Sequence, residues 1–480
     1  MGQPLRILGD KDIERIHEAS LTVLEKTGIK VWEPKAVKLL SDAGANVDET
    51  TGRVRFPREL VKASLRNAPK EFTLAGRSKE HDLRLEAGKS YFGTLGTAPL
   101  IIDLETKVRR TAIKKDLINL SKIADALEGP RYFHTMVTPS DVRPMVADLH
   151  RWDTVFRHTA KHVMGGAVYN TDNIGFLIKM CQAVAGGEKE LQKRPIITAT
   201  ECPVSPLQHD RRPLVGIMEF ARNKLPAIIY SEPKAGATSP ASLAGTLVVT
   251  NSEVLSGIVI SQAVQPGAPV IYGSVATLMD MKTGGIAFGS PETGLLAVCT
   301  TQLARYYGLP NMTPGGRTDS KIPCDAQTGY EKMRTALMVA LAGGNLGNMA
   351  GLIESNLTAS YEQLIVDDEI IGSIERIAEG VDTSDDAFAE DLIAQVGPGG
   401  GYLSQRHTLD RLKKEHYIPR ISDRAFYAGW QRAGGKELRD VARERAKKLI
   451  STHVPEPLDR SVEEELSLIL KQAEDAAEGK

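Results

Sequence analysis

AIIYSEPKAGATSPASLAGTLVVTNSEVLSGIVISQAVQPGAPVIYGSVA, residues Ala227–Ala276, is the stretch on which the reading of this chain turns. An apolar run ends at Glu232, Pro and Gly punctuation follows, a helical pattern covers Ser239–Val264, and a second apolar run fills Val270–Ala276. A run that is apolar throughout, rather than alternating, suits a strand buried on both faces. Two such runs joined by a helix make a β–α–β unit with parallel strands.

Outward from that unit the same texture recurs. Apolar runs ending in small or polar residues lie at Ser90–Gly96, Tyr132–Thr138, His162–Val168, Ile196–Glu201, Ala227–Glu232, Val270–Ala276, Asn311–Gly315 and Asn345–Leu352. Helical patterns separate them at Lys114–Leu127, Val142–His158, Asp172–Ala185, Arg211–Asn223, Ser239–Val264, Pro291–Tyr307 and Gln327–Ala342, with a last one at Ser360–Ala378. Eight units are what an α/β fold of the TIM-type (β/α)8 barrel class requires. None of the first βα turns carries the G-x-G-x-x-G of a dinucleotide-binding open sheet. The expected organisation is a helical N-terminal lead-in over 1–89, the barrel over 90–379 and a helical C-terminal extension over 380–480. Lead-in helices are expected at Lys11–Thr27, Pro34–Ala43 and Arg58–Asn67, the last opened by Pro57, and a surface helix at Leu458–Ala476.

Composition narrows the function class. With 60 Lys plus Arg against 61 Asp plus Glu in 480 residues, the net charge is −1, which offers no electrostatic footprint for nucleic acid or an anionic membrane. The four cysteines are scattered without a C-x-x-C pair and no signal peptide precedes Asp10, so a reducing cytoplasm is expected. Apolar stretches such as Ala268–Tyr272 are too short to span a bilayer. The ten histidines are dispersed and no H-E-x-x-H occurs, so no tightly bound metal is expected.

The site of such a barrel forms from the loops after the strands. That rule collects Phe92, His134, Tyr230, Tyr272 and Phe288, then Arg317, Asp319, Gln327, Tyr330 and Glu331, and finally Asn345 and Glu354. The set is rich in aromatics although these are only 5% of the chain. Aromatic faces hold quaternary ammonium ions, because the ring quadrupole attracts a cation that donates no hydrogen bond. Taken singly, each residue has a plainer reading: an aromatic in an apolar strand is more often core, and Glu331 favours the dipole of a helix start.

Together the segments resemble the trimethylamine methyltransferase superfamily. The resemblance runs through HEASLTVLEKTGIKV (His17–Val31), FPRELVKASLRNAPKEFTLAGR (Phe56–Arg77), YFGTLGTAPLIID (Tyr91–Asp103), Ala235–Gly273, GGRTDSKIPCDAQTGYEK (Gly315–Lys332), EQLIVDDEIIG (Glu362–Gly372) and GPGGGYLSQRHT (Gly397–Thr408). It implies methyl transfer from an N-methylated amine to the Co(I) of cobalamin on a small corrinoid protein. Trimethylamine-specific members carry pyrrolysine, placed by similarity near Asp319–Glu331, where this chain has only ordinary residues. The chain therefore resembles the branch without pyrrolysine, whose studied members demethylate quaternary amines such as glycine betaine, proline betaine or carnitine.

By their position in these loops, Glu331 and Asp319 are the catalytic candidates, and Glu331 and Glu354 are candidates to balance the substrate's charge. Phe92, Phe288 and Tyr330 are cage candidates, with Tyr230 and Tyr272 as alternatives. His134, Arg317, Gln327, Asn345 and His407 are candidate donors to a betaine carboxylate. Two other readings stand beside this one: a barrel methyltransferase using a pterin held by Asp319 with Asn345, and a betaine-binding protein without turnover. The corrinoid protein is expected to dock on the rim of the barrel mouth. Spare apolar faces in the lead-in and tail suggest a homo-oligomer.

Overall fold

The computed structural model describes residues 4–478. Strands β1 (Tyr91–Thr94), β2 (Tyr132–His134), β3 (His162–Gly165), β4 (Ile197–Glu201), β5 (Ala227–Ser231), β6 (Val270–Ser274), β7 (Asn311–Pro314) and β8 (Leu346–Ala350) close a barrel in chain order. Every neighbouring pair is parallel, and β8 returns to β1 through Leu346↔Tyr91 and Gly347↔Phe92. A helix follows each strand: α1 (Lys114–Ala126), α2 (Ala147–His158), α3 (Ile174–Ala185), α4 (Arg211–Arg222), α5 (Leu243–Val264), α6 (Pro291–Tyr306), α7 (Ala326–Ala342) and α8 (Tyr361–Glu379). All eight expected units are present, their ends moved by a few residues.

The helix starts have local causes. The side chains of Ser242, Ser290, Asp325 and Ser360 accept from the backbone N–H three residues on, satisfying donors that the first helical turn leaves free. Inside the barrel, Tyr132, Met164, Ile228, Tyr230, Ile271, Met312 and Leu346 pack into one core. The hairpin Phe72–Leu74/Leu83–Leu85 joins that core from beneath, and Ala75 N–H donates to Pro195 O just before β4. The amino end of the barrel is thus plugged by chain, which leaves the carboxyl end as its mouth.

Two outer cores hold the extensions. Leu21, Leu24 and Phe56 of the lead-in pack with Leu255, Ile258 and Leu303 of α5 and α6. Ala442, Ala446, Leu466 and Ile469 of the tail pack with Leu117, Leu149 and Leu364 of α1, α2 and α8. Burying a Leu or Ile of this kind stabilises the fold by about 2 kcal/mol. The lead-in contains its three helices and also strands Ile29–Val31, Asn46–Asp48 and Arg53–Arg55, which form a small sheet with Gln208–His209 from the β4–α4 loop. Three-residue strands are too short to show a period, and their distant partner has no local signature.

One expectation is corrected. α5, at 22 residues with a window of mean hydropathy 1.6, has the length and apolarity of a membrane span. Its apolarity comes from position, since 72% of that window is buried against the barrel and the lead-in.

Candidate active site at the carboxyl end of the barrel

Side chains alternate along a strand, so residues two apart share a face. On β2, Tyr132 and His134 face the barrel interior, with Tyr230 of β5 and Asn348 of β8 converging on them. Gly93 makes the room: a Cβ there would lie 2.2–2.5 Å from the Tyr132 ring. Thr94 Oγ1 donates to His134 O at 2.7 Å, tying β1 to β2 at this level.

Arg317 enters from the β7–α7 loop and is 3% exposed. Its Nη2 donates to Tyr230 Oη at 3.2 Å and approaches Asn348 Oδ1 at 3.5 Å, while Tyr230 Oη donates to Asn348 Oδ1 at 3.0 Å. Its guanidinium carbon lies 4.7 Å from the centre of the Phe288 ring. None of these partners is a carboxylate. Arg151 of α2, also buried, is in the same position: its Nη1 donates to Tyr169 Oη at 2.7 Å and its Nη2 to Gly166 O at 2.6 Å.

Burial, then the nearby Arg151 and Arg317 charges, pull the His134 imidazole down to about 3, so it is neutral at physiological pH. Burial pushes Glu201, at the end of β4, up to about 8, although it accepts from Ala167 N–H at 3.0 Å and has Arg212 and Arg151 nearby. Its carboxyl is protonated at pH 7 and leaves Arg151 uncompensated. His134 Nδ1, Tyr132 Oη, Arg317 Nε and Asn348 Nδ2 are buried polar atoms without a hydrogen-bond partner among the described residues. Such atoms are costly one at a time, and four on neighbouring residues mark a place built for a polar guest.

Of the residues singled out from the sequence, the structure brings His134, Tyr230, Arg317 and Phe288 together. Asp319 and Glu331, the catalytic candidates, spend their oxygens on loops. Asp319 accepts from Phe288 N–H (2.9 Å), Gly289 N–H (2.8 Å) and Ser355 Oγ (2.7 Å). Glu331 accepts from Thr318 Oγ1 (2.7 Å), Asp319 N–H (2.9 Å) and Gln327 Nε2 (3.0 Å). These three side chains, Gln327 included, brace the loops that carry Phe288 and Arg317.

The other placements are corrections. Phe92 lies outside the barrel wall, against Gly315, Gly347 and the α7 residue Ala336. Tyr272 also faces outward, donating to Asn251 Oδ1 of α5 at 2.8 Å and packing 6.0 Å from the Tyr307 ring. Asn345 precedes β8 at the plugged end, bonded to Glu86 O and Lys89 O, so it cannot meet Asp319 around a pterin. Tyr330 is 56% exposed beside Arg334, on the outside of α7. Glu354 reaches the rim but is paired with Arg109 at 2.8 Å and with Thr358. His407 sits in the helix Arg406–Glu415, which Arg376 and Asp382 tie to the far end of α8.

Tyr132 and Arg151 were missed, and Asn348, which the run Asn345–Leu352 offers at a strand end, was given no role. Period-two counting back from His134 reaches Tyr132, while Asn348 needed the register of β8 and Arg151 needed the docking of α2. Among the described residues no group of three His, Cys, Asp or Glu side chains is placed to hold a metal ion.

Residues 2–476 match the family described as trimethylamine methyltransferase (MTTB). The chain is 38% identical to trimethylamine methyltransferase MttB of Desulfitobacterium hafniense, over 97% of this chain and 93% of that protein. It is 35% identical to a glycine betaine methyltransferase from another strain of that species, over 98% of each. It is 34% identical to MttB of Methanosarcina barkeri, over 100% of this chain and 97% of that one. Two solved structures share the fold at 12% and 11% identity: the hydroxylamine complex of MtmB (TM-score 0.55, 98% of this chain and 88% of that) and the monomethylamine methyltransferase MtmB of Methanosarcina barkeri (TM-score 0.51, 97% and 94%). With a match along nearly its whole length, the chain belongs to the trimethylamine methyltransferase (MTTB) family.

Proposed function

We propose that this protein demethylates a small quaternary amine bearing a carboxylate, glycine betaine foremost. The methyl group passes to the Co(I) of a corrinoid carried by a partner protein, and the tertiary amine, dimethylglycine for glycine betaine, is released. The work is assigned to the barrel, residues 90–379, in a cytoplasmic setting, with the corrinoid protein approaching the mouth. The observation that carries the reading is Arg317: a buried guanidinium beside Tyr230, Asn348 and neutral His134, with no carboxylate paired to it among the described residues. A substrate carboxylate supplies that missing charge, and trimethylamine has none to offer. Removing one partner of a buried charge pair costs 2–5 kcal/mol, which is the scale of preference such a site can express.

The chemistry asks little else of the chain. The quaternary nitrogen already bears the positive charge, so when the C–N bond breaks its electron pair stays on nitrogen and a neutral amine leaves. No general acid is needed. Arg317 and His134 anchor the carboxylate, the Tyr230 and Phe288 rings wall the methylammonium end, and the plugged amino end directs a methyl group toward the mouth.

The test mixes protein with Co(I)-cobalamin and glycine betaine, proline betaine, carnitine or trimethylamine, and follows methyl-Co(III) formation spectroscopically. Methylation by a betaine and none by trimethylamine is expected. In Arg317→Met, kcat/KM for the betaine should fall about 30- to 5000-fold. Turnover of trimethylamine with betaines refused overturns the proposal.

A further inference from the structure

Lys332 of α7 and Asp367 of α8 form an ion pair at 2.9 Å in which both side chains are fully buried. Such a pair is a weak source of stability, because taking both charges out of water offsets most of their attraction. A clip between two helices would need nothing beyond the pair itself, yet each member also bonds to strand backbone. Lys332 Nζ donates to Met349 O at 2.6 Å, and Gly351 N–H donates to Asp367 Oδ2 at 2.7 Å. Both charges are thus spent on the carboxyl end of β8.

β8 is irregular at that point. Asn348 pairs with Gly93 of β1 and Ala350 with Thr94, so two steps along β8 match one step along β1. Met349 is the extra residue of a bulge, a feature that bends a strand and re-aims its side chains. Where the ladder is interrupted, Lys332 holds the Met349 carbonyl and Asp367 the Gly351 N–H. The residue just before the bulge is Asn348, whose Oδ1 accepts from Tyr230 Oη at 3.0 Å and lies 3.5 Å from Arg317 Nη2. The network also extends to the β7–α7 loop, which carries Arg317. Gln363 Nε2 donates to Asp367 Oδ1 at 2.8 Å, and Cys324 N–H of that loop donates to Gln363 Oε1 at 2.7 Å. One buried network therefore grips both segments whose side chains meet at Arg317.

We infer that Lys332 and Asp367 are positioning residues, which fix the β8 bulge and so aim Asn348 at Tyr230 and Arg317. This role rests on the reading of Arg317 as the substrate anchor. The test replaces the pair by uncharged side chains, Lys332→Met with Asp367→Asn, so that no lone charge is left in the interior. That variant is combined with Asn348→Ala in a double-mutant cycle on the full-length protein. Methyl-Co(III) formation is followed with the donor that wild type turns over fastest, and stability by urea unfolding. The paired variant and Asn348→Ala should each lower kcat/KM on the order of 10- to 100-fold. Combined, they should cost no more than about 2-fold beyond the more damaging of the two, because the pair has nothing left to aim once Asn348 is gone. Losses that multiply, or a variant that loses stability while keeping wild-type kcat/KM, overturn the inference. Asp367→Asn alone, of the same size and still an acceptor for Gly351 N–H, goes through the same cycle with the same expectation, so a chain that fails to fold without Lys332 still gives an answer.

A crystal structure of the paired variant supplies a readout that needs no turnover. The bulge at Met349 should relax, and Asn348 Oδ1 should move beyond hydrogen-bond reach of Tyr230 Oη. An unmoved Asn348 overturns the inference whatever the methyl donor is. Turnover of trimethylamine with betaines refused would overturn the substrate reading alone, and the cycle would then be read with trimethylamine.

Discussion

Replacing Glu201 by Gln tests the electrostatics of the mouth. The carboxyl is buried at the end of β4, and burial pushes it up to about 8 from the 4.5 of an exposed glutamate. Between those values the unfolded chain has released a proton that the folded chain still holds. Fewer protons bound by the unfolded state means that stability falls as pH rises, by ~1.4 kcal/mol per pH unit. At pH 7 the accumulated cost is about 3 kcal/mol. Glutamine stands in for the protonated carboxyl, with a carbonyl oxygen to accept from Ala167 N–H and an NH2 group in place of the O–H, and cannot ionise. The variant should therefore match wild type near pH 4.5 and gain on it steadily until the difference levels off near pH 8. For a chain of 480 residues, 3 kcal/mol corresponds to a Tm difference of about 3 °C at pH 7. Paired thermal scans at half-unit pH intervals read it, and the titrations of other groups cancel in the difference. Parallel curves for the two proteins would refute the reasoning, since they would mean that Glu201 ionises in the fold as easily as in water. The same ionisation places a negative charge near Arg151 above pH 8, so KM for a carboxylated substrate should rise there in wild type and stay level in the variant.

Three further outcomes are expected. Burial holds His134 down to about 3 and His162 and His209 down to about 4, so unfolding below pH 6.5 takes up three protons. These three histidines should lower stability by up to roughly 4 kcal/mol per pH unit below about pH 5.5, against the ~1.4 kcal/mol per unit that Glu201 returns over the same range, so urea midpoints should fall with pH, and a flat acid limb would contradict the neutral imidazoles. For the same reason the pH profile of kcat/KM should show no break near 6.5 from His134, and a break removed by His134→Gln would reverse that assignment. Gly93→Ala drives a methyl group into the Tyr132 ring and should cost about 1–3 kcal/mol with loss of methylation rate, measured by chemical denaturation and the cobalamin assay; wild-type values for both would show that the ring is free to move.

Chain pattern alone determined the barrel. Buried parallel strands such as Ala227–Ser231 are apolar at every position, and eight such runs alternating with helices leave little choice of topology. The property that revealed these strands also concealed the site. A strand buried on both faces shows no alternation, so nothing local says whether Phe92, Tyr230 or Tyr272 points into the barrel or away from it, and only Tyr230 does.

Partners were hidden for a related reason. Glu354 and Arg317 look alike as isolated charges on the rim, yet Arg109 neutralises the first from 245 positions away while the second is left without a carboxylate. The resemblance named the family, and the loops it selected are those around the mouth. Which of their side chains brace the walls, as Asp319 and Glu331 do, and which are free for a guest, as Arg317 and His134 are, was decided by tertiary packing. Hydrogen-bond partners come from distant strands, whereas strand and helix periods are written within a dozen neighbouring residues.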